Sequence, residues 1–107
     1  MQKLFLMTLI LFFLVATGYS ADPGEAVFQS NRCGICHKPD VSKSIPSLKD
    51  IARAYQGKEG QLVKYLQGET DSIIAPTRSG TMKRYVEKTK SLSEPERKAL
   101  AGFIMGF

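Results

Sequence analysis

The only two cysteines and the only histidine of this chain lie in one five-residue segment, Cys33-Gly34-Ile35-Cys36-His37. Two thiols with this spacing can each form a thioether with one vinyl group along the same edge of a porphyrin. A histidine that directly follows the second thiol is then held under the iron as a ligand. The segment therefore predicts one haem c, attached through Cys33 and Cys36, with His37 as an iron ligand.

Three other uses of this segment agree less well with the rest of the chain. A structural zinc site needs four ligands, and the chain has no further Cys or His to complete one. A thioredoxin-like redox site requires a βαβ setting, whereas the flanking residues have helical and loop-like patterns. A disulfide between cysteines so close in sequence closes too small a loop to add much stability. Haem attachment is therefore the prediction.

Residues 1–20 predict an export signal. Lys3 gives a short positive start, and residues 4–15 form an apolar stretch that only Thr8 interrupts. This stretch is shorter than the roughly 20 residues of a membrane-spanning helix. Small side chains at Gly18 and Ser20 suit cleavage after Ser20, and an uncleaved N-terminal anchor is the alternative. Cleavage would give an exported, periplasmic protein with no integral membrane segment.

Residues 21–107 are expected to form a single domain. They number 87 and carry a formal charge of +4. A domain of this size buries too little apolar surface to be comfortably stable alone, so a disulfide, a metal or a cofactor is expected to contribute to its stability.

Apolar residues recur at helical spacing along this domain, and no strand candidate is longer than three residues. Ser47 is expected to cap one helix, and Ser93 with Glu96 forms a capping box for the last. Residues 68–91 show little regular pattern. The fold class is therefore all-α, with four or so helices, expected at residues 23–30, between Ser47 and Gly57, at about 59–67 and from Ser93 onward.

If His37 holds one face of the iron, the other face either is open or takes a second ligand, and because the chain has no second histidine we look for a methionine. Met82 and Met105 are the candidates that remain after signal cleavage. Met105 ends a helical pattern, where a methionine usually fills the core. Met82 lies in residues 76–82, a turn-rich loop of the kind that can wrap a flat cofactor. We therefore predict that Met82 is the second ligand, with loop covering as its alternative role.

The domain resembles the short bacterial class I c-type cytochromes. The resemblance extends over essentially all of residues 21–107 and rests on the order of its features. These features are a short N-terminal helix, the segment Cys33 to His37, a proline nine residues later at Pro46, a methionine 45 residues beyond the histidine at Met82, and a C-terminal helix.

This resemblance implies a small cytochrome c fold around one covalently attached haem. It also implies that the carbonyl of Pro46 accepts the ring N–H of His37, and that the first and last helices cross with Phe28 near Phe103. Family members often have a tryptophan that contacts a haem propionate, and this chain has none. Arg78 and Lys83 are the candidates to replace it. The usual proline beside the axial methionine is also missing, with Thr81 and Lys83 in its place.

The implied function is single-electron transfer between redox partner proteins, without enzymatic chemistry on a small molecule. Iron held by His37 and Met82 has no vacant position for a substrate, and a thioether ligand raises the reduction potential. One alternative is a cytochrome subunit of a larger periplasmic oxidoreductase. Another is a ligand-binding haem protein with an open sixth position, which applies if Met82 does not coordinate.

Two further sets of residues follow from this interpretation. The first set is apolar, and its side chains either line the haem or pack in the ordinary core. They are Ile35, Ile45, Leu48, Ile51, Leu62 and Leu66. The second set is basic. Its side chains either surround an exposed haem edge and steer acidic partners, or merely form a solvated face. They are Lys38, Lys43, Lys83, Arg84, Lys88 and Lys90. Nucleic acid is not an expected partner, since the chain is expected to be exported.

Overall fold

The computed structural model describes residues 22–74 and 79–107. The predicted signal at residues 1–20 and the propionate candidate Arg78 lie outside these residues. Within them the structure has no strand, which confirms the all-α prediction, and no helix is both long and apolar enough to cross a membrane. A short 3-10 helix covers Cys33–Ile35, and the α-helices are α1 (Pro23–Ser30), α2 (Leu48–Ala54), α3 (Glu59–Leu66), α4 (Ser79–Lys90) and α5 (Glu94–Met105).

The helix ends follow the local sequence closely. Ser47 caps α2 and Ser93 caps α5, each in a reciprocal capping box whose acidic partner, Asp50 or Glu96, accepts from the backbone N–H of the serine. These hydrogen bonds favour ionised carboxylates. They lower the pKa of Glu96 below its ordinary value. The predicted caps are confirmed. Helix α2 ends at Ala54, and Gly57, three residues later, has a left-handed φ of 73° that a helix cannot contain.

The C-terminal helix forms the centre of the packing, since α5 contacts α1, α2 and α3. Where α1 crosses α5, the backbones approach so closely that a Cβ atom on Gly24 would lie 2.0 Å from the carbonyl oxygen of Ala99. Only glycine permits this approach. The crossing brings the rings of Phe28 and Phe103 to a centroid distance of 5.2 Å, which confirms the predicted contact.

The prediction for the segment around Met82 is wrong. Met82 lies on the first turn of α4, a regular helix, and not in a turn-rich loop. Its face toward the protein comprises Met82, Tyr85, Val86 and Thr89, at the spacing i, i+3, i+4, i+7, and Thr89 is only 3% exposed. This pattern is hard to detect because only Met82 and Val86 are fully apolar, while Tyr85 and Thr89 each carry a hydroxyl.

Candidate cofactor site

A cavity of about 1000 Å³ lies among the described helices. The three reactive side chains of the attachment segment, Cys33, Cys36 and His37, line it, and so does Met82. The fold therefore brings the residues singled out from the sequence to one cavity, although Met82 comes from a helix far along the chain. Apolar walls are provided by Ile45, Leu48, Ile51, Leu62 and Leu66.

Ile35 is the exception among the predicted lining residues. It does not line the cavity, and its side chain is 63% exposed. The 3-10 geometry explains this outcome, because the two cysteines that flank the Gly34–Ile35 pair both turn toward the cavity and the intervening isoleucine is left on the outside.

The attachment segment is shaped by a sharp change of direction after α1. Arg32 has a left-handed φ of 57°, and the chain then tightens into the 3-10 helix, which the Cys36 N–H closes by donating to the Cys33 carbonyl at 3.3 Å. Just beyond this helix, the His37 N–H donates to the same carbonyl at 2.9 Å. This turn places both thiols at the cavity, half-buried and without a disulfide between them. Burial raises the pKa of the Cys33 thiol. In the unattached chain this thiol is therefore held in its neutral form.

The imidazole of His37 is held by the backbone of Pro46. Its Nδ1 lies 2.8 Å from the Pro46 carbonyl oxygen. Because a carbonyl oxygen can only accept, Nδ1 donates the proton, and Nε2 keeps a free lone pair. The loop between the two residues is closed by the Leu48 N–H, which donates to the Lys38 carbonyl at 2.8 Å. The hydrogen bond expected between His37 and Pro46 is thus present.

The two methionines considered from the sequence have different surroundings. Met82 is half-buried and lines the cavity. Met105 packs against the hydrophobic core near the end of α5 and lines a separate pocket beside Lys49. It is half-buried, so it covers one side of the core and is not enclosed within it.

The cavity is also lined by three tyrosines that the sequence analysis did not single out: Tyr85 on α4, Tyr55 and Tyr65. Tyr55 is only 1% exposed, and its hydroxyl accepts a hydrogen bond from the Ile73 N–H at 3.3 Å. Tyr65 is half-buried, and burial raises the pKa of its phenol. Both occupy positions of helical periodicity, where a tyrosine is indistinguishable from an ordinary core residue. The one available signal was the phenol oxygen, because a hydroxyl at an otherwise apolar helical position needs a hydrogen-bond partner.

The basic side chains expected around the cofactor are all exposed, and three of them, Lys83, Arg84 and Lys90, also line the cavity. Lys83, one of the two candidates to replace the tryptophan, therefore stands at the rim. In the described part of the chain, no three His, Cys, Asp or Glu side chains form a group able to hold a metal ion. The described residues therefore offer no ligand set for the zinc site that was considered from the sequence.

Comparison with known proteins gives two results. A protein-family model described as "Cytochrome c" matches residues 21–107. A curated protein, "Cytochrome c-551" of Stutzerimonas stutzeri, is 42% identical over 40 residues, which are 37% of this chain and 38% of that protein. The aligned segment thus spans well under half of the relative.

Proposed function

This chain belongs to the cytochrome c family, and from that premise we propose that it is a periplasmic carrier of single electrons whose haem iron is ligated by His37 and Met82. Members of the family function in electron transfer with a covalently bound haem c, and they are generally carriers and not enzymes. When bound, the haem supplies a reversible one-electron change at its iron. The cavity suits this group, because it combines two adjacent thiols, a histidine nitrogen with a free lone pair, and apolar walls.

The observation that carries the proposal is that His37 and Met82 line the same cavity while Met105 does not. A thioether is a soft ligand suited to haem iron, and with histidine it completes the pair found in cytochromes that transfer electrons. If both side chains bind, no position remains for a substrate. This arrangement favours a carrier over a ligand-binding haem protein.

Each surrounding residue has a defined task in this proposal. Pro46 fixes the tautomer and direction of the His37 ring through the 2.8 Å hydrogen bond. The thioether of Met82 stabilises the ferrous form, and the apolar side chains of Leu48, Ile51 and Leu62 exclude water, so both effects raise the reduction potential.

Export to the periplasm is supported by the pattern of residues 1–20 and by the start of the family match. That match begins at residue 21, the first residue after the expected cleavage site. Attachment of haem c after export is consistent with two free thiols in a chain with no other cysteine.

Redox partner proteins with acidic docking surfaces are part of the proposal. Support comes from the exposed cations Lys83, Arg84 and Lys90 at the rim of the cavity. Positive charge at this rim would attract an acidic partner to the side of the molecule where the cofactor is held.

Ligation by Met82 can be tested with the near-infrared charge-transfer band of the oxidised holoprotein. We expect the band in the wild type and in Met105→Leu, and its loss in Met82→Leu, because only Met82 supplies sulfur to the iron. The same loss should allow carbon monoxide to bind the ferrous Met82→Leu protein tightly. A wild-type protein that lacks the band and binds carbon monoxide tightly would instead favour an open sixth position.

A further inference from the structure

Helix α4 carries Met82 at one end and two interhelical ties at the other. Met82 is on its first turn, and Thr89 is seven residues later, about 10 Å along the helix axis. In the described part of the chain, the main helical neighbour of α4 is α3. The position of α4 therefore depends strongly on what holds its C-terminal end.

The first tie is the hydroxyl of Thr89. It is 3% exposed, and it donates to the carbonyl oxygen of Leu66 at 2.6 Å. Leu66 is the last residue of α3, so its carbonyl has no partner within that helix. The hydroxyl is also 3.0 Å from the Val86 carbonyl, but it has one proton, and the shorter contact is the one between helices. Thr89 thus joins the ends of α3 and α4.

The second tie is the guanidinium of Arg97, which lies on α5 in the centre of the fold. Its Nη1 donates to the carbonyl oxygen of Lys90, the last residue of α4, at 3.0 Å, and lies 3.5 Å from that of Thr89. It also donates to the carbonyl oxygen of Leu92, in the turn between α4 and α5. A cation at this end of a helix satisfies carbonyls that have no helical partner and interacts favourably with the helix dipole. Arg97 thus joins α4 to the best-packed helix of the molecule.

We propose that Thr89 and Arg97 are positioning residues for Met82: they fix the C-terminal end of α4, and the rigid helix thereby holds the thioether at the cavity. This inference rests on the proposed ligation by Met82. A tilt of about 10° at the tied end would move the Met82 backbone by about 2 Å over this length of helix. Metal–ligand distances are maintained within about 0.2 Å, so even a small tilt would weaken the bond.

Two variants remove the ties separately, and two matched controls remove nearby interactions that join no helices. Thr89→Val keeps the shape of the side chain and removes its hydroxyl, and Arg97→Met removes the guanidinium. Ser91→Ala removes a hydroxyl directly after the end of α4, which donates back to the Glu87 carbonyl of that same helix at 3.3 Å. Lys98→Met removes an exposed cation from α5.

The oxidised holoproteins are titrated with guanidinium chloride while the near-infrared band and the far-ultraviolet circular dichroism are both recorded. Carbon monoxide binding to the ferrous forms is measured without denaturant. In Thr89→Val and Arg97→Met we expect the band to disappear before helical structure is lost. Carbon monoxide should bind about fivefold faster than in the wild type, the factor that corresponds to loss of one net hydrogen bond. Both controls should behave as the wild type. Arg97→Lys keeps a cation at this position, so it should lie between Arg97→Met and the wild type in both measurements.

The outcomes distinguish a failure of the positioning role of Thr89 and Arg97 from a failure of ligation by Met82. If band and circular dichroism are lost together in both variants, and carbon monoxide binds as in the controls, the ties stabilise the fold without positioning Met82, and the inference is overturned. If the wild type itself lacks the band, ligation by Met82 is wrong, and the inference is overturned with it.

Discussion

At the scale of single residues, two side chains at the cavity depend on one hydrogen bond each. His37 donates to Pro46, nine residues away, and Tyr55 accepts from Ile73, eighteen residues away. The first bond could be anticipated, because the spacing of His37 and Pro46 is part of the resemblance to a known family. The second could not, since a tyrosine in a helical pattern gives no indication of which distant N–H its hydroxyl will meet.

The Tyr55 hydrogen bond predicts a measurable stability difference between two tyrosines. Tyr55→Phe should lower the free energy of unfolding of the holoprotein by about 1 kcal/mol, because the Ile73 N–H loses its acceptor. Tyr65→Phe is the control, as no hydrogen bond to its hydroxyl is found among the described residues, and it should cost less than about 0.5 kcal/mol. Denaturant titration measures both, and equal losses would contradict the assigned role of Tyr55.

At the scale of elements, the sequence was informative wherever a helix begins with a side-chain cap. The capping boxes at Ser47 and Ser93 locate the starts of α2 and α5. By contrast, α4 was missed, because a helix that presents one narrow, partly polar face to the protein has weak apolar periodicity. Met82 nevertheless lines the cavity, and its prediction as a ligand does not depend on the type of element, because it rested on ligand chemistry.

The crossing of α1 and α5 predicts opposite effects for two glycine substitutions. Gly24→Ala places a Cβ atom against the Ala99 carbonyl, so the helices must separate, and we expect a loss of about 1–3 kcal/mol in the free energy of unfolding. Gly60→Ala is the matched control on α3, where a Cβ meets nothing within 4 Å. It should gain up to about 1 kcal/mol from helix propensity. Thermal or denaturant unfolding checks both, and a neutral Gly24→Ala would mean that the helices do not approach so closely.

At the scale of the whole molecule, a small domain is built around a cavity of about 1000 Å³. The small size of residues 21–107 indicated that a disulfide, a metal or a cofactor contributes to their stability, and the attachment segment indicated which of the three. The shape of the cavity could not be predicted, because it depends on how five helices from different parts of the chain are arranged. The distribution of charge is also a property of this arrangement, since Lys83, Arg84 and Lys90 reach the cavity rim only when α4 is in place.

The rim charges predict how fast small redox ions react with the protein. Oxidation of the ferrous protein by the anion hexacyanoferrate(III) should slow several-fold in a Lys83→Gln, Arg84→Gln variant at low salt. The difference should fade as ionic strength passes about 0.1 M, where charges are screened over about 10 Å. Lys49→Gln, Arg53→Gln removes the same charge from a separate pocket and serves as the control. Equal rates for the two variants, measured by stopped flow, would mean that the rim charges have no special role in steering.

The account depends most on which methionine, if any, binds the iron. Proton NMR of the ferrous holoprotein with isotope-labelled methionine methyl groups tests this directly, because a methyl held over the haem is shifted strongly upfield by the ring current. We predict one such resonance, present in the wild type and in Met105→Leu and absent in Met82→Leu. A wild-type spectrum without a shifted methionine methyl, or one in which the shifted signal is lost in Met105→Leu instead, would contradict the assignment of Met82 as the ligand.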